Sequence, residues 1–202
     1  EWDKSGIYKT PDKKESTEVW KKQFRTKDSD EFGGVAINGD NIYMIQNIGD
    51  KSFLIRDGKN KEAIWKKELA SDGEYHDILA QGGYIYLLGS EGKVGVIKKF
   101  DINGKAIRSK QLRKDNLPYW CGIAVDEKNI YLAGNIQIRK EGNLNTEISV
   151  VKYNHELEEV WSKEFGTDEA DYPRDVEVDN KGNVYLVGQT LGNLEKTNKG
   201  LI

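Results

Sequence analysis

Apolar and polar positions alternate in short runs along the chain, and the runs return in the same order. "GGVAINGDNIYMIQN" (Gly33 to Asn47), "HDILAQGGYIYLLGS" (His76 to Ser90), "CGIAVDEKNIYLAGN" (Cys121 to Asn135) and "DVEVDNKGNVYLVGQT" (Asp175 to Thr190) align with one another. In each, an apolar run meets a turn built from Gly, Asn, Asp or Lys, and a second apolar run follows. The second run always holds a tyrosine, at Tyr43, Tyr86, Tyr131 and Tyr185, spaced by 43, 45 and 54 residues. Aromatic and β-branched residues bounded by such turns predict paired strands.

A second hairpin follows each of the first three: "SFLIRDGKNKEAIWKKEL", "VGVIKKFDINGKAIRSKQL" and "ISVVKYNHELEEVWSKEF". Each reads as strand, turn, strand, ending near Trp65, Arg108 or Trp161. The N-terminal "GIYKTPDKKESTEVWKKQF" has the same form with Trp20 in the matching place, and the fourth unit stops at "KGLI", two residues into what should be its third strand. Each unit is therefore an antiparallel meander of four short strands, and helices have almost no place. Inner runs such as Gly34-Val35-Ala36-Ile37 and Ile123-Ala124-Val125 are apolar on both sides, so both faces of the sheet need cover. An all-β chain of four-stranded units at this period points to a β-propeller of about four blades, complete or part of a larger one. The expected pieces are an outer hairpin at 6–24, blades at 32–69, 75–112 and 119–165, and a partial blade at 172–202.

The 54-residue spacing reflects one insertion, "NIQIRKEGNLNTE" (Asn135 to Glu147), between the second and third strands of its blade; "GQTLGNLEKTNK" is long at the same place. Insertions at one repeated position mark one face of the disk as the better candidate for binding.

The turn in "DVEVDNKGNVYLVGQT" first has to be separated from a calcium loop. Counted from Asp175, the sixth residue is Asn180 and the twelfth is Leu186, where such a loop needs Gly and a bidentate acid. The sister turns "NGDN", "QGGY" and "DEKN" lack the acid pattern, so the stretch reads as a strand turn. Glu177 stands where the other units have Ala36, Leu79 and Ala124. Either a cation pairs with it, or its face is open because the neighbouring blade is absent or altered.

The 202 residues carry 31 basic and 34 acidic side chains, for a net charge of -3. No sustained positive field exists, so nucleic acid is not an expected partner. No run reaches the roughly 18 apolar residues of a membrane span, and a soluble chain is expected. The 21 glycines suit many tight turns. Cys121 is the single cysteine, which excludes an internal disulfide framework and a cysteine-based structural zinc site but leaves the compartment open. The sequence opens on Glu1 with neither Met nor a charged-then-apolar leader, so any signal peptide is expected to have been removed or to lie outside it.

"WSKEFGTDEADYPRDVEVDNKGNVYLVGQTLGNL" (Trp161 to Leu194) resembles the bacterial seven-bladed β-propeller repeat called SBBP. That repeat runs from a Trp-x-x-x-Phe-Gly strand through Asp-Tyr to Asp-x-x-Gly-Asn-Val-Tyr and a Gly-x-Thr turn. The earlier units match in outline only, and they also resemble the quinoprotein-like (PQQ-type) repeat. The SBBP resemblance implies an exported or surface-attached bacterial protein whose repeats bind or space and share no catalytic residues. It also implies more blades than this chain holds. Either the chain is part of a longer protein, or its N-terminal hairpin completes the fourth blade as a clasp.

Propellers present ligands where the chain starts each innermost strand. Those positions are Glu31-Phe32-Gly33, Glu74-Tyr75-His76, Tyr119-Trp120-Cys121 and Tyr172-Pro173-Arg174. Phe32, Tyr75, His76, Tyr119, Trp120, Tyr172 and Arg174 are thus the candidate ligand-binding set, for a carbohydrate or a protein, against the plainer reading that the rings pack under loops. His76 and Cys121 sit at equivalent positions of adjacent units, too far apart by expectation for a nucleophile pair. No cofactor, metal or catalytic residue is assigned. Three functions remain open: a noncatalytic binding or scaffold module, a propeller enzyme (lyase, glycosidase or quinoprotein-like) with its site at the channel mouth, or an assembly subunit.

Overall fold

A computed structural model describes residues 6–9, 20–23, 30–58, 63–112, 119–140 and 142–193, and these contain no helix. Among them lie three four-stranded antiparallel sheets and two two-stranded ones. The first complete blade is β3 (Asp30–Asn38), β4 (Asn41–Ile48), β5 (Lys51–Asp57) and β6 (Ala63–Glu68). The second is β7 (Gly73–Gln81), β8 (Tyr84–Glu91), β9 (Val94–Asp101) and β10 (Ala106–Gln111). The third is β11 (Tyr119–Val125), β12 (Asn129–Lys140), β13 (Asn143–Asn154) and β14 (Glu159–Phe165). A half blade follows, β15 (Asp171–Val178) and β16 (Val184–Thr190), and the N-terminal hairpin pairs β1 (Gly6–Lys9) with β2 (Trp20–Gln23).

The innermost strands β3, β7, β11 and β15 pack against one another in that order, which makes the array an arc of propeller blades. The repeat read from the sequence is a repeat in space. Tyr43 pairs with Ala36, Tyr86 with Leu79, Tyr131 with Ala124 and Tyr185 with Glu177, one register position in four sheets. The clasp, one of the two alternatives, is not seen among the described residues. β1 pairs with β2 and β15 with β16, each in a sheet of its own. Residues 10–19 and 194–202, the latter including the unfinished third strand, lie outside the described residues.

The core sits between blades, because each sheet has only its neighbours to cover it. Tyr43, Ile45 and Leu54 of the first blade meet Ile78, Ile85 and Leu87 of the second. Tyr86, Leu88 and Ile97 of the second meet Ile123, Ile130 and Leu132 of the third. The third joint is built from smaller groups, with Ala124, Tyr131 and Ala133 against Val176 and Leu186. Trp65 packs between blades as expected, its ring 6.2 Å from that of Tyr43, and a Cβ on Gly104 of the next blade would lie 2.9 Å from it. Where Arg108 replaces the tryptophan, its Nη1 donates to the Glu156 carbonyl of the third blade at 2.6 Å, a polar link in place of an apolar one.

The insertion does not form a loop. It lengthens β12 and β13 into a twelve-residue hairpin paired as far as Lys140 and Asn143.

Candidate binding surface at the channel mouth

Every innermost strand is irregular at the same place. The register slips between Phe32 and Gly34, Tyr75 and Asp77, Trp120 and Gly122, and Pro173 and Asp175, which leaves Gly33, His76, Cys121 and Arg174 as the extra residues. A bulge turns a side chain out of the ladder and is common beside sites. Opposite it the chain passes so close that three of the four units carry glycine. A Cβ on Gly134 would lie 2.5 Å from the Tyr119 carbonyl oxygen, and Gly89 and Gly188 make the same approach to Glu74 and Tyr172. This repeated bulge was not anticipated from the sequence; the glycines facing it were the signal that could have shown it.

The bulges sort the candidate residues. His76 reaches across to the third blade, its Nε2 2.6 Å from the Trp120 carbonyl oxygen and its ring stacked on Tyr119 at 5.8 Å between centroids. A carbonyl only accepts, so Nε2 carries the hydrogen. Tyr119 is 61% exposed and Arg174 is also open to solvent, while Phe32 and Tyr172 are half-buried. Tyr75 and Trp120 are correctly placed in the chain but not open to a ligand, because both are buried between blades. The Tyr75 hydroxyl donates to Glu91 at 2.6 Å, and Glu91 is paired with Lys98. Their rings are core.

Cys121 is held as the thiol. Burial raises its thiol to about 11, with Asp175 and Asp77 adding to the effect, and its Sγ lies 3.3 Å from the Pro173 carbonyl oxygen.

Farther along the innermost strands the channel is acidic. Asp77 Oδ1 accepts from its own following amide, Ile78 N, at 2.8 Å, and Oδ2 accepts from Ile123 N of the next blade at 3.0 Å. Burial lifts its carboxyl to about 6 against those two hydrogen bonds, and the Asp175 and Glu177 charges raise it further. A cavity of about 690 Å³ opens at the far end of the strands, lined among others by Leu79, Asp126, Lys152, Glu177 and Asp179.

The turn acids there belong to the fold. Asp179 accepts from Lys181 N, Asn183 N, the Asn183 side chain and the Tyr185 hydroxyl, at 2.8 to 3.1 Å. The Asn183 side chain leads in holding it down at about 2. Asp126 makes the same set with Lys128 N, Asn129 N and Tyr131. The motif forms the strand turn read from the sequence, with the acid locking the turn. Among the described residues no group of three or more His, Cys, Asp or Glu side chains is placed to bind a metal ion. Glu177 is exposed, on the open side of the last sheet.

The fold and its repeated joints define the class: this is a β-propeller repeat protein. The unit at residues 160–195 matches the SBBP family, a beta-propeller repeat. No curated protein matches the chain. Among solved structures it is similar to a chain of a nidogen/laminin complex, with TM-score 0.56 and 15% identity over 84% of this chain and 60% of that one. It is also similar to the Dos1 propeller, with TM-score 0.56 and 8% identity over 77% and 42% of the two chains. A protein of unknown function from Bacteroides caccae gives 0.54 and 10% over 84% and 56%. The chain thus spans less than two thirds of each. Among the described residues no helix is long and apolar enough to cross a membrane.

Proposed function

We propose that the chain is a noncatalytic propeller module of an exported or surface-attached bacterial protein, a scaffold that binds a protein or carbohydrate at the channel mouth. Tyr119, backed by the stacked His76 ring, is the platform, and Arg174 is the orienting charge. An exposed aromatic ring and an exposed cation suit a sugar ring or a peptide side chain.

The observation that supports this reading is the engagement of the reactive groups by the fold. The Cys121 thiol is held protonated, the His76 Nε2 is bound to a backbone carbonyl, and Asp126 and Asp179 are saturated by their turns. What is left open to solvent at the mouth among the described residues, Tyr119 and Arg174, suits binding. One observation favours the enzyme instead: Asp77 has its carboxyl at about 6 beside Asp175 and Glu177, a poise that a channel acid would use.

Glycan and peptide arrays probed with the wild-type chain and with Tyr119→Ala and Arg174→Ala test the proposal. Binding that falls at least tenfold in both variants is expected. Turnover of any glycan substrate that Asp77→Asn abolishes would replace this reading with the enzyme. Surface proteolysis of intact producing cells, with the chain detected by antibody, tests the location, and protection from protease would overturn it.

A further inference from the structure

The hairpin of β12 and β13 outruns the rest of its own sheet. In the first two blades the innermost strand follows the second strand all the way to the turn that closes it. There Asp30 stands opposite Ile48 and Gly73 opposite Glu91, and Ile48 and Glu91 are themselves the closing residues, paired with Lys51 and Val94. In the third blade β11 stops with Tyr119 opposite Asn135, while β12 and β13 stay paired as far as Lys140 and Asn143. The insertion lengthens two strands but not the innermost one.

The two edges of the projecting hairpin differ. Along its outer edge the chain that leaves β14 is seated against β13. Asn145 Nδ2 donates to the Thr167 carbonyl oxygen at 3.3 Å, Thr167 N donates to Asp171, and a Cβ on Gly166 would lie 3.1 Å from Glu147 Cγ. Along its inner edge, among the described residues, no strand pairs with β12 beyond Asn135. Two residues separate Lys140 from Asn143, so the turn's own hydrogen bond joins that pair. The alternation of an antiparallel ladder then turns the N–H and C=O of Ile136 and Ile138 toward β13, and those of Gln137 and Arg139 outward. Such an edge fits another strand, because an extended backbone repeats donors and acceptors at the same interval.

The side chains say which strand. Tyr119 is the cross-strand partner of Asn135, so by the period of two it shares a face with Gln137 and Arg139. Tyr119 and Arg139 are exposed and Gln137 is half-buried. A residue added opposite Arg139 is favoured when it is acidic. On the other face lie the buried Ile136 and the half-buried Ile138, beside which a β-branched residue packs best.

We propose that the β12 edge at Gln137 and Arg139 binds an extended peptide of a partner protein, antiparallel to β12 and in line with β11, with an acidic side chain against Arg139. This rests on the channel mouth being a binding surface, and it names the ligand there as a peptide strand.

The probe is the capped peptide Ser-Glu-Val-Thr-Val, whose glutamate and threonine fall opposite Arg139 and Gln137. Amide exchange in the wild-type chain and anisotropy of a fluorescein-labelled peptide read its binding. The Gln137 and Arg139 amides should exchange freely in the chain alone and slow at least roughly tenfold with peptide. A peptide N-methylated at the glutamate and threonine should not bind, because those amides make the ladder. Gln137→Pro removes an outward donor, which an edge tolerates, and should weaken binding roughly tenfold, with circular dichroism as the check on folding. Arg139→Glu leaves the backbone intact; it should weaken the glutamate peptide and favour its lysine counterpart. Amides already protected in the free chain overturn the proposal, since the chain itself would then fill the edge. So do amides that the peptide leaves unprotected, and so does binding that survives N-methylation or is indifferent to Arg139→Glu. Array ligands that need Tyr119 and Arg174 while these two amides stay unprotected overturn the strand and leave the mouth as a binding surface.

Discussion

The phenol oxygen of Tyr86 lies 2.9 Å from Nδ1 of His155, in the outer turn of the next blade. The other ring nitrogen, Nε2, is 3.0 Å from the Glu127 carbonyl oxygen, so Nε2 carries the hydrogen and Nδ1 accepts from the tyrosine. Lys99 Nζ donates to the backbone carbonyl of the same histidine at 2.9 Å. The first joint has a counterpart in the Tyr43 hydroxyl, 3.4 Å from the Ile102 carbonyl oxygen, where Arg56 Nη1 also donates at 3.1 Å. In the third and fourth units the hydroxyl turns back to its own Asp126 or Asp179. The repeated tyrosine therefore performs two tasks with one ring: the ring fills the joint, and the hydroxyl fastens an outer turn or an inner one.

Truncation should separate these tasks. Tyr86→Phe keeps the ring and loses a hydrogen bond, with an expected loss of about 1 kcal/mol in urea unfolding. Tyr86→Ala or Tyr131→Ala empties a buried joint and should cost about 3–5 kcal/mol. Tyr185→Ala, at an open face, should cost the least. Equal losses on truncation of these three tyrosines to alanine would mean that the last sheet is as well covered as the others.

This difference also marks what the sequence could and could not disclose. The tyrosine spacing made the repeat, the strand order and the joint residues legible, because period and apolar pattern are local properties. Whether a ring at the mouth faces solvent depends on the neighbouring blade. Tyr75 and Trp120 hold the same place in the aligned units and both are buried, while Tyr119, one residue earlier, stands in water beside His76 of the neighbouring blade. The Asp77 grip on Ile123 was hidden for the same reason, since its partner lies 46 residues away. The turn acid of Asp179 was legible, because all its partners fall within six residues.

The bulge makes a steric prediction. Gly134→Ala puts a Cβ 2.5 Å from the Tyr119 carbonyl oxygen and close to the Trp120 ring, and the obstacle is backbone that cannot step aside. The expected loss is about 2–4 kcal/mol by chemical denaturation. Gly39→Ala sits in a turn with open space around it and φ of 60°, so only the left-handed backbone opposes it, at about 1 kcal/mol. The order of the two losses is the check.

Cys121 makes a kinetic one. Its thiol is raised from 9.0 to about 11, so near pH 8 the folded chain holds about 100-fold less thiolate than the unfolded one. Iodoacetamide labelling should be slow in buffer and rise with urea along the unfolding curve. Rapid labelling of folded protein would mean that the thiol is open and ionised.

Asp77 sets a dependence on pH whose sign follows from its burial. Its carboxyl titrates near 3.8 when unfolded and at about 6 in the fold, with burial as the main cause and the two backbone amides opposing it. Between those values the folded chain binds the extra proton, so this group's contribution to stability is fully present below the unfolded value and is lost as pH rises through the folded one. The span corresponds to on the order of 3 kcal/mol between about pH 4 and pH 7. The Asp175 and Glu177 carboxylates, the Cys121 thiol and the Arg174 guanidinium lie around the same part of the strands. Asp179 acts in the opposite sense, since its lowered carboxyl gives stability that is lost only as pH falls toward 2. Urea midpoints of wild type and Asp77→Asn across this range isolate the contribution. The variant should be less stable than wild type at pH 4 and should lack the decline toward pH 7. An unchanged slope in Asp77→Asn would assign the decline to another group and mean that the Asp77 carboxyl is ionised throughout.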